Sequence, residues 1–158
     1  MKILVISDTH GKLNRVEKVL KTITDIDRII HLGDLEKDAK ELELTKPYII
    51  DYIPGNCDFY SNTSRDKIIS FGEHKIWLTH GHQYNVKWEY ETIMKMAIQK
   101  KANIILFGHT HIPYLKQESK LVLMNPGSLS QPRGGFRPSY GIIDFDSKDT
   151  PHFTINYL

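Results

Sequence analysis

"KILVISDTH" (residues 2–10) is a short apolar run that ends in a carboxylate and an imidazole, Asp8 and His10. The run reads as a strand, and Val16, Val19, Leu20 and Ile23 then recur at helical spacing. "RIIHLG" (28–33) returns to the strand pattern, Leu35, Ala39 and Leu42 suggest a short second helix, and "YIIDYIPG" (48–55) reads as a third strand. That alternation implies right-handed βαβ units and a parallel sheet. "HKIWLTHG" (74–81) and "NIILFGH" (103–109) are further strands. Between them Val86, Tyr90, Ile93, Met94 and Ala97 form one apolar face, so a helix over 86–97, with Trp88, is expected to pack into the core. After residue 112 the texture changes: "YLKQES" (114–119), "KLVLMN" (120–125), "YGIIDFD" (140–146) and "HFTINYL" (152–158) are short strands with no helix between them, and are expected to pair antiparallel. An α/β sandwich of two sheets with helices outside accommodates both halves.

Composition sets the bounds within which a function must fit. The 158 residues match one domain with one core, spanning 1–158. Apolar content of 40% and charged content of 25% are those of a soluble globular chain. A net charge of +2 calls for neither a long nucleic acid nor an anionic membrane as partner. The apolar run "ILVI" is too short for a leader peptide or a spanning helix, and the single cysteine, Cys57, fits a reducing compartment. The expected location is therefore the cytoplasm.

Each early strand ends in side chains that can bind a metal. The first leads to Asp8 and His10, the second to Asp34, the third to Asn56-Cys57-Asp58, the next to His80-Gly-His82 and the last to His109-Thr-His111. In a parallel sheet the carboxyl ends of the strands face one crevice. Singly, most of these have a plain explanation: Asp-x-His as a helix cap, Gly-Asp as a turn, Pro-Gly-Asn as a turn that tolerates the left-handed conformation. Five such coincidences at five strand ends favour convergence.

The converging donors are Asp8, His10, Asp34, Asn56, His80, His109 and His111, a mixed oxygen and nitrogen set without thiolate. Such a set suits Mn²⁺, and also Ni²⁺, Co²⁺, Fe²⁺ or Zn²⁺, more than Ca²⁺ or Mg²⁺. Seven donors are too many for one ion with an open position and right for two ions sharing a carboxylate. In two-metal hydrolases the ions lie roughly 3.5–4 Å apart, and a water between them is acidified from about 15.7 towards about 7, giving a hydroxide that attacks the substrate. The substrate that best uses paired cations is a phosphate ester.

In their order, Asp8-x-His10, Gly33-Asp34, Gly55-Asn56-x-Asp58, His80-Gly-His82 and Gly108-His109-x-His111 resemble the calcineurin-like metallophosphoesterase superfamily. The small size and "NPGSLSQPRGG" (125–135) resemble its compact YfcE-type phosphodiesterases. The resemblance implies a four-layer αββα sandwich of two mixed β-sheets flanked by helices. It further implies that Asp8, His10 and His111 hold one ion, that Asn56, His80 and His109 hold the other, and that Asp34 bridges them.

One position departs from the family. Many phosphomonoesterases of this kind carry a histidine after the Gly-Asn pair, where it contacts substrate; here Cys57 stands there. A thiol is a weak donor and an uncertain acid, so diesters are expected to be preferred over monoesters. Asp58 is a candidate for orienting a neighbouring histidine and His82 for supplying a proton. Arg133 or Arg137 could meet a substrate phosphate. Cys57 is not read as a nucleophile, because the next arginine, Arg65, follows after seven intervening residues with no glycine between. The "NPGS" stretch is expected to position its loop near the histidines, and His31 to be a satisfied core histidine. The expected partner is a small phosphodiester, nucleotides included. Trp77 and Trp88 leave a homo-oligomer interface open. The competing reading is a non-catalytic scaffold on the same fold, against which the completeness of the donor set counts.

Overall fold

Strand β1 (Lys2–Ile6) is apolar along its length because both of its faces are covered. Ile3 and Val5 point one way, Leu4 and Ile6 the other, and all four are fully buried. The computed structural model in which this is seen describes residues 1–118 and 120–158. Residue 119, the expected end of one strand, lies outside the described residues.

Strands β2 (Arg28–His31) and β3 (Ile49–Tyr52) follow β1 in parallel, through helices α1 (Asn14–Thr22) and α2 (Glu36–Thr45). A second sheet contains β4 (Asp66–Phe71), β5 (His74–Thr79), β6 (Ile104–Phe107), β7 (Pro113–Glu118) and β8 (Leu121–Pro126), with α3 (Glu91–Gln99) between β5 and β6. The chain then returns to the first sheet as β9 (Ser139–Phe145) and β10 (Pro151–Tyr157), giving orders β10-β9-β1-β2-β3 and β4-β5-β6-β8-β7.

Period-two alternation divides the core into three seams. Ile3, Val5, Ile30 and Leu32 meet Ile76, Leu78, Ile104 and Leu106 between the sheets. Leu4, Ile6 and Ile29 pack on Val16 and Val19 of α1 and Leu42 of α2. Trp77, Ile105 and Phe107 pack on Ile93 and Ala97 of α3. The layers are therefore helix, sheet, sheet, helix, as expected, and each large side chain in a seam contributes roughly 1.5–3 kcal/mol. Among the described residues no helix is long and apolar enough to cross a membrane.

Three expectations need correction. Strand β4 was not anticipated: it is an edge strand with Lys67, Ile68 and Ser70 exposed, so its pattern lacks a clean apolar face. The later strands are not purely antiparallel, because β8 lies beside β6 in parallel and β7 takes the edge. The reason is composition: "LVLMN" is apolar on both faces and needs a covered position, whereas the charged half of β7 suits an edge. Third, the helix starts at Glu91 rather than Val86. After a 3₁₀ turn at His82–Tyr84, Asn85 adopts φ 55°, which breaks any helix there. Trp88 thus sits on a loop at 87% exposure instead of in the core, which Trp77 fills.

The ends of β2 and β3 come close enough that only glycine fits. A Cβ on Gly55 would lie 2.3 Å from the Asp34 amide nitrogen, and one on Gly33 would lie 2.8 Å from the Gly55 nitrogen. Gly55→Ala should therefore destabilise by about 1–3 kcal/mol, read as a lower midpoint in thermal denaturation. An unchanged midpoint would contradict this close approach.

Candidate metal centre

The loops that leave β1, β2, β3, β5 and β6 meet along one rim where the two sheets come together. Their backbone is strained there. Among the described residues ten non-glycine positions have positive φ, and five are candidate donors: Asp8 (53°), His10 (47°), Asp34 (63°), His109 (70°) and His111 (60°). Each such conformation costs on the order of 1–3 kcal/mol, so the surroundings must over-determine it.

At Asp8 they do. Its N–H donates to the Gly33 carbonyl (3.1 Å), and its own carbonyl accepts from Ser128 Oγ (2.8 Å) and Ser130 Oγ (2.9 Å). Asp8 Oδ2 accepts from Ser7 Oγ (2.6 Å) and from the His109 N–H (3.1 Å). Gly108 is the contact point, since a Cβ there would lie 2.1 Å from Ser7 Oγ. Ser128 and Ser130 come from the "NPGS" loop, which also meets a histidine through Gln131. Sequence reasoning anticipated the loop's role but not the residues that perform it.

Hydrogen-bond bookkeeping then fixes the histidines. His111 Nδ1 lies 2.7 Å from the Gln131 carbonyl, and His80 Nδ1 lies 2.7 Å from the Leu32 carbonyl. A carbonyl can only accept, so each Nδ1 carries the proton and each neutral ring turns a bare Nε2 lone pair inward. His111 Nε2 then faces Asp8 Oδ1 at 3.2 Å and His10 Nε2 at 3.3 Å. His80 Nε2 faces Asn56 Oδ1 at 3.0 Å. Lone pairs confront lone pairs at both places. Asp8 Oδ1 is buried without a donor of its own. Such contacts are repulsive unless a proton or a cation lies between them.

Asp34 lies between the first group and the Asn56 loop. Its Oδ2 lies 3.4 Å from His10 Nε2, while its Oδ1 accepts the Cys57 N–H at 3.0 Å. One ligand atom each from Asp8, His10, Asp34 and His111 lie within 4.8 Å of one another. The His109 ring packs on His80, centroids 5.1 Å apart, and so belongs to the His80 and Asn56 group. The donor set and the orphaned Asp8 oxygen fit divalent cations that accept oxygen and imidazole together.

A buried chain of hydrogen bonds that the sequence did not reveal lies under the first group. The Gly33 N–H donates to His31 Nδ1 (3.2 Å), so His31 Nε2 donates to Thr9 Oγ1 (2.9 Å), which donates to Asp38 Oδ2 (2.6 Å). Asp38 also accepts the Gly11 N–H at 2.7 Å, bracing both sides of His10. His31 is thus satisfied in the core, and burial depresses its pKa to about 4, so it stays neutral. Only the apolar spacing of Asp38 with Ala39 and Leu42 in α2 hinted that it was buried.

The other expected site residues fall as follows. The expectation that Asp58 orients a histidine needs correction: its carboxylate accepts the backbone N–H groups of Leu35 (3.2 Å), Glu36 (2.8 Å) and Gly55 (2.8 Å). It caps α2 and ties the Asp34 and Asn56 loops together. Cys57 is exposed beside Asp34; the hydrogen bond to that carboxylate, then burial, push its thiol up to about 11. His82 packs beside His80 and His109 with a buried, unpartnered Nδ1, and burial lowers its pKa. Arg133 lies beside His111, donating its N–H to the His111 carbonyl at 3.1 Å. Arg137 instead stacks over Tyr157.

In the metal-free chain a proton can play the cation's part. Burial opposes charge on both Asp8 and His111, but their mutual interaction outweighs it, holding Asp8 at about 2 and raising His111. His109 moves the other way: burial lowers it to about 4. A metal ion entering beside Asp8 must therefore expel the His111 proton wherever His111 is protonated. Titration calorimetry of Mn²⁺ in buffers of different ionisation enthalpy should show more protons released per ion at pH 6 than at pH 8. Equal release at both would contradict the shared lone-pair site.

Comparison with known proteins agrees with this geometry. The profile of the "Calcineurin-like phosphoesterase superfamily domain" matches residues 1–148. The chain is 33% identical to "Probable metallophosphoesterase YsnB" of Bacillus subtilis over 152 residues, 93% of this chain and 86% of that one. It is 26% identical to "Phosphodiesterase YfcE" of Escherichia coli K12, over 92% of this chain and 89% of that one. A solved structure from Streptococcus pneumoniae TIGR4, described as a predicted phosphoesterase, superposes with a TM-score of 0.80 at 32% identity, covering 99% of this chain and 88% of the other. Fold, donors and sequence converge on one conclusion: the chain belongs to the calcineurin-like phosphoesterase superfamily.

Proposed function

We propose that the chain hydrolyses small phosphodiesters at a site for two divalent ions, with Asp8, His10 and His111 at one ion, Asn56, His80 and His109 at the other, and Asp34 between them. The observation that carries this reading is the pair of lone-pair confrontations, His111 Nε2 with Asp8 Oδ1 at 3.2 Å and His80 Nε2 with Asn56 Oδ1 at 3.0 Å. Asp34 supports it with one oxygen beside His10 and the other on the N–H of Cys57, the residue that follows Asn56. Mixed imidazole and carboxylate donors suit Mn²⁺ along with Fe²⁺, Co²⁺, Ni²⁺ and Zn²⁺, and metal availability selects among them; Mn²⁺ is the ion proposed. When bound, two such ions supply Lewis acidity to the phosphoryl oxygens and an acidified water as nucleophile.

The protein's own groups supply position and protons. Arg133, exposed beside His111, is placed to meet a non-bridging phosphate oxygen. His82 is a neutral imidazole near pH 7 with one N–H to offer the departing oxygen. Asp58 is a positioning residue, since it holds the loops that present Asp34 and Asn56. Cys57, with its thiol pushed up to about 11, stays an S–H group and a weak donor. A monoester dianion with a poor leaving group finds little help there. A diester, with one charge less, needs less, and the named activity of the YfcE relative points the same way.

Chelator-stripped protein reloaded with Mn²⁺ should cleave an aryl phosphate diester faster than the matched monoester. Asp34→Ala and His109→Ala should each abolish the activity while circular dichroism stays native. Full activity in either variant would sink the assignment, and ion binding without turnover of any ester would favour the scaffold reading. Cys57→His should raise the ratio of monoester to diester turnover, and an unchanged ratio would remove the role given to Cys57.

A further inference from the structure

We propose that a pocket beside His109 and His111, with Trp88 as one wall, receives the planar aromatic arm of the ester, so that the substrates are nucleotide-class phosphodiesters; this rests on the phosphodiesterase reading above. The pocket has a volume of about 310 Å³, within the range of small-molecule sites. Its walls are Val86, Trp88, Tyr90 and Ile112, and its rim carries Lys87 and Arg133.

Its position is set by the donor loops themselves. Ile112 follows His111 directly, Arg133 donates its backbone N–H to the His111 carbonyl at 3.1 Å, and Trp88 lies on the loop that leaves His80 and His82. A group held in this pocket is therefore tethered close to anything held by the histidines. Val86 is anchored in the core at 2% exposure, and the Trp88 N–H donates to the Asn85 carbonyl at 2.8 Å, which fixes the loop that carries the indole.

The chemistry of the walls selects the occupant. An indole at 87% exposure, with no ring or cation stacked on it among the described residues, presents a flat π-face at a large cost in exposed apolar area. Ile112, also partly bare at 37%, continues the apolar lining. Neither Lys87 nor Arg133 forms an ion pair among the described residues. Both line the pocket, and the Arg133 backbone is bonded to the His111 carbonyl. A purely aliphatic ligand would leave the cations unused, and a bare phosphate would leave the indole unused. A nucleotide uses both, by base stacking on Trp88 and phosphate contact with the cations. A neighbouring depression shares Val86, Lys87, Trp88 and Tyr90 but sets Glu89 and Glu91 against Lys87 and Lys116, so it offers an anion no net positive charge.

The test compares adenosine monophosphate with ribose 5-phosphate, which share the phosphate and differ by the base, in calorimetric titrations of the Mn²⁺-loaded protein. The wild type should bind the nucleotide about tenfold more tightly, and Trp88→Ala should erase that preference while leaving ribose 5-phosphate unchanged. Arg133→Ala should weaken both alike. Because Trp88 is so exposed, its truncation leaves the core intact. In turnover, Trp88→Ala should raise KM for a dinucleoside monophosphate about tenfold with kcat unchanged, and leave an aliphatic glycerophosphodiester unaffected. Equal affinity for the two ligands in the wild type, or a preference that survives Trp88→Ala, overturns the subsite. So does a Trp88→Ala variant that only loses an oligomer, which would make this face an interface between copies. Absence of diester hydrolysis alone would overturn the phosphodiesterase reading, and the binding comparison would still decide the subsite.

Discussion

Two N–H groups given to two carbonyls set up this site. His80 Nδ1 donates to Leu32 and His111 Nδ1 to Gln131, each at 2.7 Å. Leu32 lies just beyond β2 in one sheet, and His80 just beyond β5 in the other. The bond between them therefore aligns the two sheets and, in the same stroke, aims an imidazole lone pair at Asn56. The second bond joins the loop after β6 to the loop that precedes β9, and aims His111 at Asp8. Ring tautomer, sheet alignment and donor direction are one constraint. A core that packed equally well with the sheets slightly shifted would lose the convergence of donors.

The convergence is held against strain and electrostatic repulsion. Five candidate donors sit in the left-handed region. Asp8 is fully buried with an oxygen that no protein donor reaches. The compensation comes from beneath and beside: Ser7, Ser128 and Ser130 on Asp8, the Gly33–His31–Thr9–Asp38 chain under His10, and Asp58 across the loops of Asp34 and Asn56. These groups never need to touch a substrate. Their work is to keep acceptor atoms facing one another, which an apolar collapse would not do and which a cation rewards.

Much of this was legible in the sequence because period and position carry it. The apolar runs of β1, β2, β3, β5 and β6 could be read directly, and each led to a candidate donor, so a sandwich of two sheets with helices outside and the seven candidate positions could be named, while the αββα layering came from the family resemblance. What could not be read was whatever depends on contacts distant in sequence. Strand β4 has no strong alternation because it lies at an edge. Strand β8 looked like half of a plain hairpin, and only its burial on both faces moves it next to β6. The face of Val86 and Tyr90 matched a helix, but Asn85 in the left-handed region broke it and left Trp88 outside. Asp58 looked like a partner for a histidine because it lies two residues from Asn56. Its carboxylate is instead taken up by three backbone N–H groups that no local pattern foretells. Asp38 gave only a faint signal, a charged residue at a buried helical position.

We propose that these facing acceptors hold two ions. Anomalous scattering from crystals grown in excess Mn²⁺ tests it most directly. Two peaks roughly 3.5–4 Å apart are predicted, one against Asp8, His10 and His111, the other against Asn56, His80 and His109, with Asp34 between. A single peak, or none, at full Mn²⁺ would contradict it.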